Sequence, residues 1–344
     1  MKFRVLTEAV VAAALQLVFL WSFLGALHAP RPQGLPLGVV APSADQVADR
    51  LEAGSQGAIR PVVQEDPAAL LHSIDAREVY GGLVAEPDGS LRLVVADAPD
   101  ADVAEVITSL SQRYAAERGA ELAVEHVRPL EPDDTQGLSA LYLSLSWVFG
   151  GYFCAVATGM TGGMTYPNAR RAALIVLLFA GYAVVVGVLG ATVAGALAGV
   201  SDGHFAALAS AGALLVFAVA TATAGLQAHL RAAGTLLALA AFIFVGNPSS
   251  GGIVPMEFLP GFWQTVGPWL PNAAGFTTIQ NIVYFEGNAV GEASMLLAAY
   301  VLAGVGLIVA AGARTARIRR VPVPASVQGS LYGQQSSQAN RVRE

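Results

Sequence analysis

Five prolines interrupt an apolar stretch at residues 246–285 and limit what that stretch can form. It reads GNPSSGGIVPMEFLPGFWQTVGPWLPNAAGFTTIQNIVYF and contains Pro248, Pro255, Pro260, Pro268 and Pro271. Each proline removes a backbone donor and clashes with the preceding helical turn, so a single spanning helix cannot contain all five. Backbone groups freed in this way must be buried in protein or face water, because lipid cannot pair with them.

The same stretch carries aromatic residues that favour the lipid headgroup level, namely Trp263, Trp269 and Tyr284. We therefore predict an apolar helix over 232–247, an outer element over 257–285 that dips partway into the bilayer, and a final span over 292–313. The wider re-entrant region covers 248–290. The alternative is an ordinary outer loop that lies on the headgroups.

Composition identifies a polytopic membrane protein. Hydrophobic residues make up 54% of the 344, charged residues 13%, and the mean hydropathy is +0.56. Residues 29–137 hold 19 of the 25 acidic and 8 of the 19 basic side chains. This division is typical of a water-exposed domain joined to spans with basic cytoplasmic edges. The single cysteine, Cys154, excludes an intrachain disulfide.

The uncharged runs predict six spans, and arginines mark their cytoplasmic ends. The spans are 9–29, 138–160, 172–200, 205–230, 232–247 and 292–313. With both termini inside, the short arginine-rich loops are cytoplasmic and the acidic domain is outside, as the positive-inside rule expects. A cleavable signal peptide competes for residues 1–29, but we favour a retained first helix, because the apolar run exceeds a usual signal core. We predict a disordered cytoplasmic tail at 314–344; its first arginines form a stop-transfer signal or a lipid site.

Residues 30–137 are predicted to form a small extracytoplasmic α/β domain. Strands are expected at 35–40, 59–63 and 122–127, and a hairpin joins 81–85 to 90–96 through Glu86-Pro87-Asp88-Gly89. Helices are expected at 43–52 and 67–78. A third helix is predicted from a stripe with helical spacing, formed by Val103, Val106, Ile107, Leu110 and Tyr114.

No catalytic or metal-binding constellation is evident, so we predict neither enzyme activity nor a cofactor. Asp97, Asp100 and Asp102 lack the spacing of a calcium loop, and carboxylates favour the N-terminus of the helix that follows. His72 and His126 have no companion at ligand spacing. A P-loop needs a lysine after its glycines, and the only lysine is Lys2.

The predicted spans contain no central charged residue, which argues against a proton- or ion-coupled carrier. The third span instead carries small residues at Gly187, Gly190, Gly195 and Gly199. Such spacing allows close helix packing, and flexing of a moving helix is the alternative.

The order of one helix, an outer domain and five helices with a Pro/Gly-broken outer segment resembles the ABC-2 type exporter permeases. The run at 246–287 is similar to the phage-infection-protein (Pip/YhgE-like) branch in high-GC bacteria. The architectural likeness covers residues 1–313. The outer domain here is shorter than in large members of that branch.

This resemblance implies a substrate pathway along the broken segment and a coupling loop at 161–171 that touches a nucleotide-binding partner. The pathway residues are Gly246, Asn247, Pro248, Pro255, Pro260, Trp263, Pro268, Trp269, Pro271 and Asn272. The coupling residues are Tyr166, Pro167, Asn168, Arg170 and Arg171, where Tyr166 is expected to be exposed. The two arginines could equally anchor the third span.

The predicted function is therefore the permease subunit of an ABC-2-like exporter in a bacterial plasma membrane, moving a hydrophobic or amphipathic compound outward. Expected partners are a separate ABC ATPase, the lipid bilayer and a second permease in a homodimer or heterodimer, with no nucleic acid. The alternative is a non-transporting scaffold or receptor whose outer domain binds a cell-envelope, phage or secretion-system partner.

Overall fold

The computed structural model describes residues 2–98 and 100–319 and is mainly helical (67%), with one small sheet. Within these residues, five helices are long and apolar enough to cross a membrane, which indicates a multi-pass membrane protein. The apolar ranges are Val5–Leu27, Ser139–Gly162, Ala169–Ala198, Phe205–Leu230 and Gly291–Thr315. Most of the predicted tail, residues 320–344, lies outside the described residues. Its first part, 314–319, continues the last helix instead of being irregular.

Helix α1 (Lys2–Leu27) leads into a five-stranded sheet with three helices. The strands are β1 (Leu35–Val40), β2 (Ile59–Val63), β3 (Gly81–Ala85), β4 (Leu91–Ala96) and β5 (Leu122–Val127). The helices are α2 (Ala44–Ser55), α3 (Pro67–Asp75) and α4 (Ala101–Arg118). The strand order is β2-β1-β3-β4-β5, and only the β3–β4 hairpin is antiparallel. All five predicted strands and all three helices are present. We call residues 30–137 the sheet domain.

The core of the sheet domain forms where the sequence pattern places it. Val103, Ile107 and Tyr114 of α4 are buried in one cluster with the buried side chains of β1 and β4. The predicted helical stripe is therefore confirmed.

Four long helices form a bundle in which α7 contacts each of the other three. They are α5 (Ser139–Gly162), α6 (Ala169–Ala198), α7 (Phe205–Leu230) and α11 (Gly291–Arg319). Small residues allow this contact: a Cβ added at Gly187 would lie 2.5 Å from the Ala209 carbonyl oxygen, and one at Gly190 would lie 2.5 Å from Trp147 Nε1. Close packing is thus the structural role of these two glycines.

The fifth predicted span, at 232–247, is not confirmed as a spanning helix. It consists of α8 (Ala232–Ala238) and a π-helical segment (Leu239–Val245), seven residues each, which together measure about 21 Å against about 30 Å of bilayer core. α8 follows α7 after a reversal at Arg231, whose φ is 55°. The predicted range of 16 residues would itself measure only about 24 Å as a helix, and the chain turns at 246–250.

The remaining elements are short: 3-10 turns at Met256–Phe258 and Gly267–Trp269, helix α9 (Gly261–Val266) and helix α10 (Pro271–Tyr284). Pro260 precedes α9 and Pro271 opens α10, where the missing N–H costs no helical hydrogen bond. We call residues 246–285 the proline-rich segment.

Candidate functional site

The proline-rich segment enters the bundle and returns toward the sheet domain. Gly275 of α10 packs against Leu215, about 15 Å along α7 from its first residue. At the other end of α10, the Tyr284 hydroxyl donates to Asp134 Oδ2 at 3.1 Å, just before α5 begins. Almost every side chain of α10 is buried. Residues 246–250 and α10 are therefore enclosed by protein, whereas Pro268 and Trp269 between them are exposed.

Asn272 joins α10 to the π-helical segment. Its Nδ2 donates to the Phe242 carbonyl at 2.8 Å and to Asn247 Oδ1 at 2.6 Å, and its own Oδ1 is buried without a partner. Gly246 lies against the same side chain. Three of the predicted pathway residues, Gly246, Asn247 and Asn272, thus meet at one buried point, and Pro248 beside them is buried too.

The sheet domain holds the outer part of the same segment. The Arg31 amide donates to the Phe258 carbonyl at 3.2 Å, and the Gln33 amide donates to the Glu257 carbonyl at 3.0 Å. The Phe258 side chain lies in the core cluster of the sheet domain, and the Tyr80 hydroxyl donates to Glu257 Oε2 at 2.8 Å. The segment is therefore held between the sheet domain and the bundle.

The three aromatic residues predicted at the headgroup level do not share one environment. Trp269 is 72% exposed, as is fitting for an interfacial ring. Trp263 is only 6% exposed, because it packs against Gly25 and Trp21 of α1, and Tyr284 is also buried. Their depth in a bilayer stays a prediction, but both rings contact protein: Trp263 packs against α1, and the Tyr284 hydroxyl bonds to Asp134. Of the prolines, Pro255 is buried and Pro268 is exposed.

Arg77 lies where the sheet domain meets α10. It follows α3 with φ at 63°, a left-handed conformation that costs an L-residue other than glycine about 1–2 kcal/mol. Its Nη2 donates to Gln280 Oε1 at 3.4 Å, and the guanidinium lies 4.6 Å from the Phe285 ring centroid. Its Nη1 is buried without a hydrogen-bond partner. Burial lowers the pKa of Arg77, yet a guanidinium stays charged at any physiological pH.

A polar cavity of about 90 Å³ adjoins this arginine. Its walls include Tyr80, Asp100, Glu257 and Gln280. Burial, helped by Glu257, raises the pKa of Tyr80 well above its ordinary value, so the hydroxyl remains a donor to the Glu257 carboxylate. Burial also raises the pKa of Asp100 to about 6, against the hydrogen bonds that it accepts from Val103 and Asp102.

A larger groove of about 520 Å³ runs between α10 and α11 on the other side of Arg77. Its sheet-domain end carries polar groups, and its other end is apolar. The polar end is lined by Arg77, Asn281 and Glu292, and the apolar end by Ala273, Ala274, Leu296, Pro268 and Trp269. From Asn281 to Ala273 the groove follows α10 for about 12 Å. Its shape and polarity suit a narrow amphipathic molecule.

The predicted coupling loop differs from expectation at its aromatic residue. Tyr166 is 6% exposed and packs in a cluster with Phe179 and Ile308, so it is not an exposed contact residue. Burial raises its pKa to about 12. The prediction was wrong because α6 and α11 close over this loop, which sequence spacing does not reveal.

The other loop residues have clear roles. Asn168 caps α6 by accepting the Arg171 amide at 2.9 Å, and the Arg171 guanidinium donates to the Gly162 carbonyl. Pro167 is half-buried, whereas Arg170 is exposed. Of the residues predicted to form a coupling loop, Asn168 and Arg170 are exposed, and the Asn168 side chain is engaged in the cap.

The acidic trio of the sheet domain is structural. Asp100 caps α4 by accepting the Asp102 and Val103 amides at 2.9 and 3.3 Å, which confirms the helix-terminus interpretation for that residue. Asp97 instead contacts His126 Nδ1 at 2.7 Å, so this histidine is not alone. Within the described residues, no group of three or more potential ligands could hold a metal ion.

Sequence reasoning missed Arg77, Thr277, Gln280 and Asn281. They belong to no motif, and they come together only when the sheet domain docks on α10. No family model, curated protein or solved structure matches the chain.

Proposed function

We propose that this chain is the membrane subunit of an exporter, which moves a hydrophobic or amphipathic compound outward and is powered by a separate ATPase. The observation that supports the proposal is the groove between α10 and α11. It is apolar toward the bundle and polar toward the sheet domain, and one wall is the proline-rich segment. Discontinuous helices of this kind form substrate sites in many transporters.

The proposed topology has six crossings and both termini in the cytoplasm of a bacterial cell. Five crossings are the long helices, and the sixth is residues 232–255. This stretch leads from Gly234, which packs beside Leu226 near the end of α7, to the sheet domain. The sheet domain is then extracytoplasmic, and Arg170, Arg171 and Arg231 lie on the positive inner side.

Labelling with an impermeant thiol reagent tests this topology. In a Cys154→Ser background, Ser90→Cys in the hairpin turn should react in intact cells. Ser330→Cys, which lies outside the described residues, should react only after lysis. Reaction of both in intact cells would refute the topology.

We propose a separate polypeptide as the motor, since the only lysine of this sequence, Lys2, follows no glycine-rich loop. We propose that it docks at the loop between α5 and α6, because Arg170 offers an exposed positive charge there and Arg171 is already engaged within the chain.

Purification in mild detergent tests the motor directly. An ATPase should co-purify stoichiometrically, and Arg170→Glu should reduce its recovery while leaving the abundance of the membrane protein unchanged. Recovery that is undiminished would remove this loop from coupling. If no ATPase accompanies the unmutated protein, the scaffold function becomes the better proposal. A groove of about 500 Å³ beside His126 on the sheet domain, lined in part by Asp97, Glu105 and Gln112, would then be the partner site to test.

Export itself is tested by filling the groove. Ala293→Trp places a large ring in the groove, whereas Ala299→Trp places the same ring on an exposed face of α11. Efflux should fall only in the first variant at equal membrane abundance. Equal efflux from both variants would exclude the groove as the pathway.

A further inference from the structure

The charge of Arg77 constrains what the groove can accept, and this inference rests on the proposed function. Within the described residues, no carboxylate lies within ion-pair distance of the Arg77 guanidinium. A buried charge without a counter-ion is costly, and its left-handed backbone adds to that cost. Backbone strain that persists in this way is characteristic of functional positions.

The acidic groups nearby do not neutralise Arg77 by direct contact. Glu257 accepts from the Tyr80 hydroxyl, and Asp100 accepts from two backbone amides of α4. Glu292 lies at the mouth of the groove and is exposed, so solvent screens it. The strongest field at the polar end of the groove therefore comes from the buried guanidinium.

Two buried polar atoms near this end have no partner. Arg77 Nη1 is a donor, and Asn281 Oδ1 is an acceptor because its Nδ2 already donates to the Ala289 carbonyl at 3.0 Å. A head group with an anionic oxygen and a hydroxyl would satisfy both. Guanidinium groups bind carboxylate and phosphate oxygens through charge-assisted hydrogen bonds.

We infer that the groove binds an amphiphile with an anionic, oxygen-rich head group, whose head lies on Arg77 and Asn281 and whose chain lies along Ala273, Ala274 and Leu296. The substrate class is thereby narrowed from amphipathic compounds to acidic ones. The head group can belong to a bilayer lipid or to a free amphiphile, because the contacts are the same.

Binding of radiolabelled dodecyl phosphate to the full chain in phosphatidylcholine nanodiscs tests the inference, with empty nanodiscs subtracted. Dodecyl phosphate should bind more tightly than dodecanol or dodecyltrimethylammonium. Arg77→Gln should weaken dodecyl phosphate binding about tenfold or more and leave dodecanol unchanged. Arg113→Gln, which removes an exposed arginine of α4, is the matched control and should have no effect.

Thr277→Asp provides a variant that does not depend on removing Arg77. Thr277 lines both the cavity and the groove, as Arg77 does, so a carboxylate there would take the place of the ligand's head group. Thr277→Asp should weaken dodecyl phosphate binding. Thr277→Asn, whose side chain has the same size as aspartate but no charge, should not. Equal binding by the two variants, or equal binding of the anionic and cationic amphiphiles, would overturn the inference.

The source of the head group is tested by adding phosphatidylglycerol to the nanodiscs. If phosphatidylglycerol competes with dodecyl phosphate, the site belongs to a bilayer lipid; if it does not compete, the site belongs to a free amphiphile. Binding of dodecyl phosphate that depends on Arg77 supports the inference in both cases. The test is independent of the motor. If dodecyl phosphate binding depends on Arg77 but no ATPase accompanies the protein, the binding site is supported and the exporter proposal is refuted. If efflux depends on an ATPase but no such binding is found, the exporter proposal is supported and the binding site is refuted.

Discussion

Replacing Asn272 tests whether the proline-rich segment depends on its buried hydrogen bonds. Asn272→Ala removes the bonds from Nδ2 to the Phe242 carbonyl and to Asn247 Oδ1. Leaving a buried group unsatisfied costs about 1–3 kcal/mol, but side-chain hydrogen bonds in membrane proteins average only about 0.6 kcal/mol. Loss of the unpartnered Oδ1 offsets part of the cost. We therefore expect the free energy of unfolding to fall by about 2 kcal/mol.

Asn272→Asp sharpens this prediction because it keeps the side-chain volume. The carboxylate cannot donate to either acceptor and adds a buried charge, so it should destabilise the protein more than Asn272→Ala. The exposed Asn288 provides the control, and Asn288→Ala should change the free energy of unfolding by less than about 0.5 kcal/mol.

The assay is equilibrium unfolding in mixed micelles of detergent and dodecyl sulfate. A double-mutant cycle with Asn247→Ala should give a coupling energy of about 1 kcal/mol. The reasoning would be refuted if Asn272→Ala were as stable as Asn288→Ala, or if the cycle showed no coupling between the two asparagines.

Three further predictions concern α1, the sheet domain and the loop. Gly25→Val should loosen α1 from Trp263, because an added Cβ would lie 2.5 Å from the ring. Protease cleavage of α1 should then increase. Gly306→Ala, where an added Cβ meets open space, should not change the cleavage. Burial raises the pKa of Asp100 from 3.8 to about 6, so its carboxyl stabilises the fold fully below about pH 4 and loses that contribution as pH rises through 6. Asp100→Asn should reduce the decline in melting temperature between pH 4 and 6, and an unchanged decline would contradict this assignment. Tyr166→Ala should cost about 3 kcal/mol in dodecyl sulfate unfolding, because it removes a buried ring; a surface role would cost almost nothing.

Local patterns predicted most of the sheet domain. Its strands are short apolar runs separated by turn sequences, and the α4 stripe depends only on residues three and four apart. Close packing at Gly187 was predictable for the same reason, because a small residue permits helix contact whatever the partner is.

Features that depend on distant parts of the chain were not predictable. Tyr166 is buried by α6 and α11, so the local pattern for an exposed aromatic fails there. The contact of Trp263 with α1 likewise cannot be inferred from its own segment. The end of the helix at 232–245 contacts Asn272, which bonds to Phe242 and Asn247 across 30 and 25 residues of sequence. Arg77 obtains its environment only when the sheet domain contacts α10.

Three separate parts of the chain contact the proline-rich segment, which forms one wall of the groove. α1 contacts the segment through Gly25 and Trp263, the sheet domain through Tyr80 and Glu257, and the π-helical segment through Asn272. Between these contacts the prolines prevent a regular helix, so little of the segment's stability is local.

We therefore expect a shift of any one of these parts to change the position of α10 against α11, and with it the width of the groove. The sheet domain acts at the polar end, where Arg77 contacts Gln280, and α1 acts near Trp263. We expect cross-linking of α1 to α9 by a short bifunctional thiol reagent, through Trp21→Cys and Phe262→Cys in a Cys154→Ser background, to stop efflux without abolishing dodecyl phosphate binding. The two rings that these cysteines replace contact each other, with centroids 5.9 Å apart, so the gap is one that such a reagent can span. Efflux that continues in the cross-linked protein would show that α1 and the proline-rich segment move as one body.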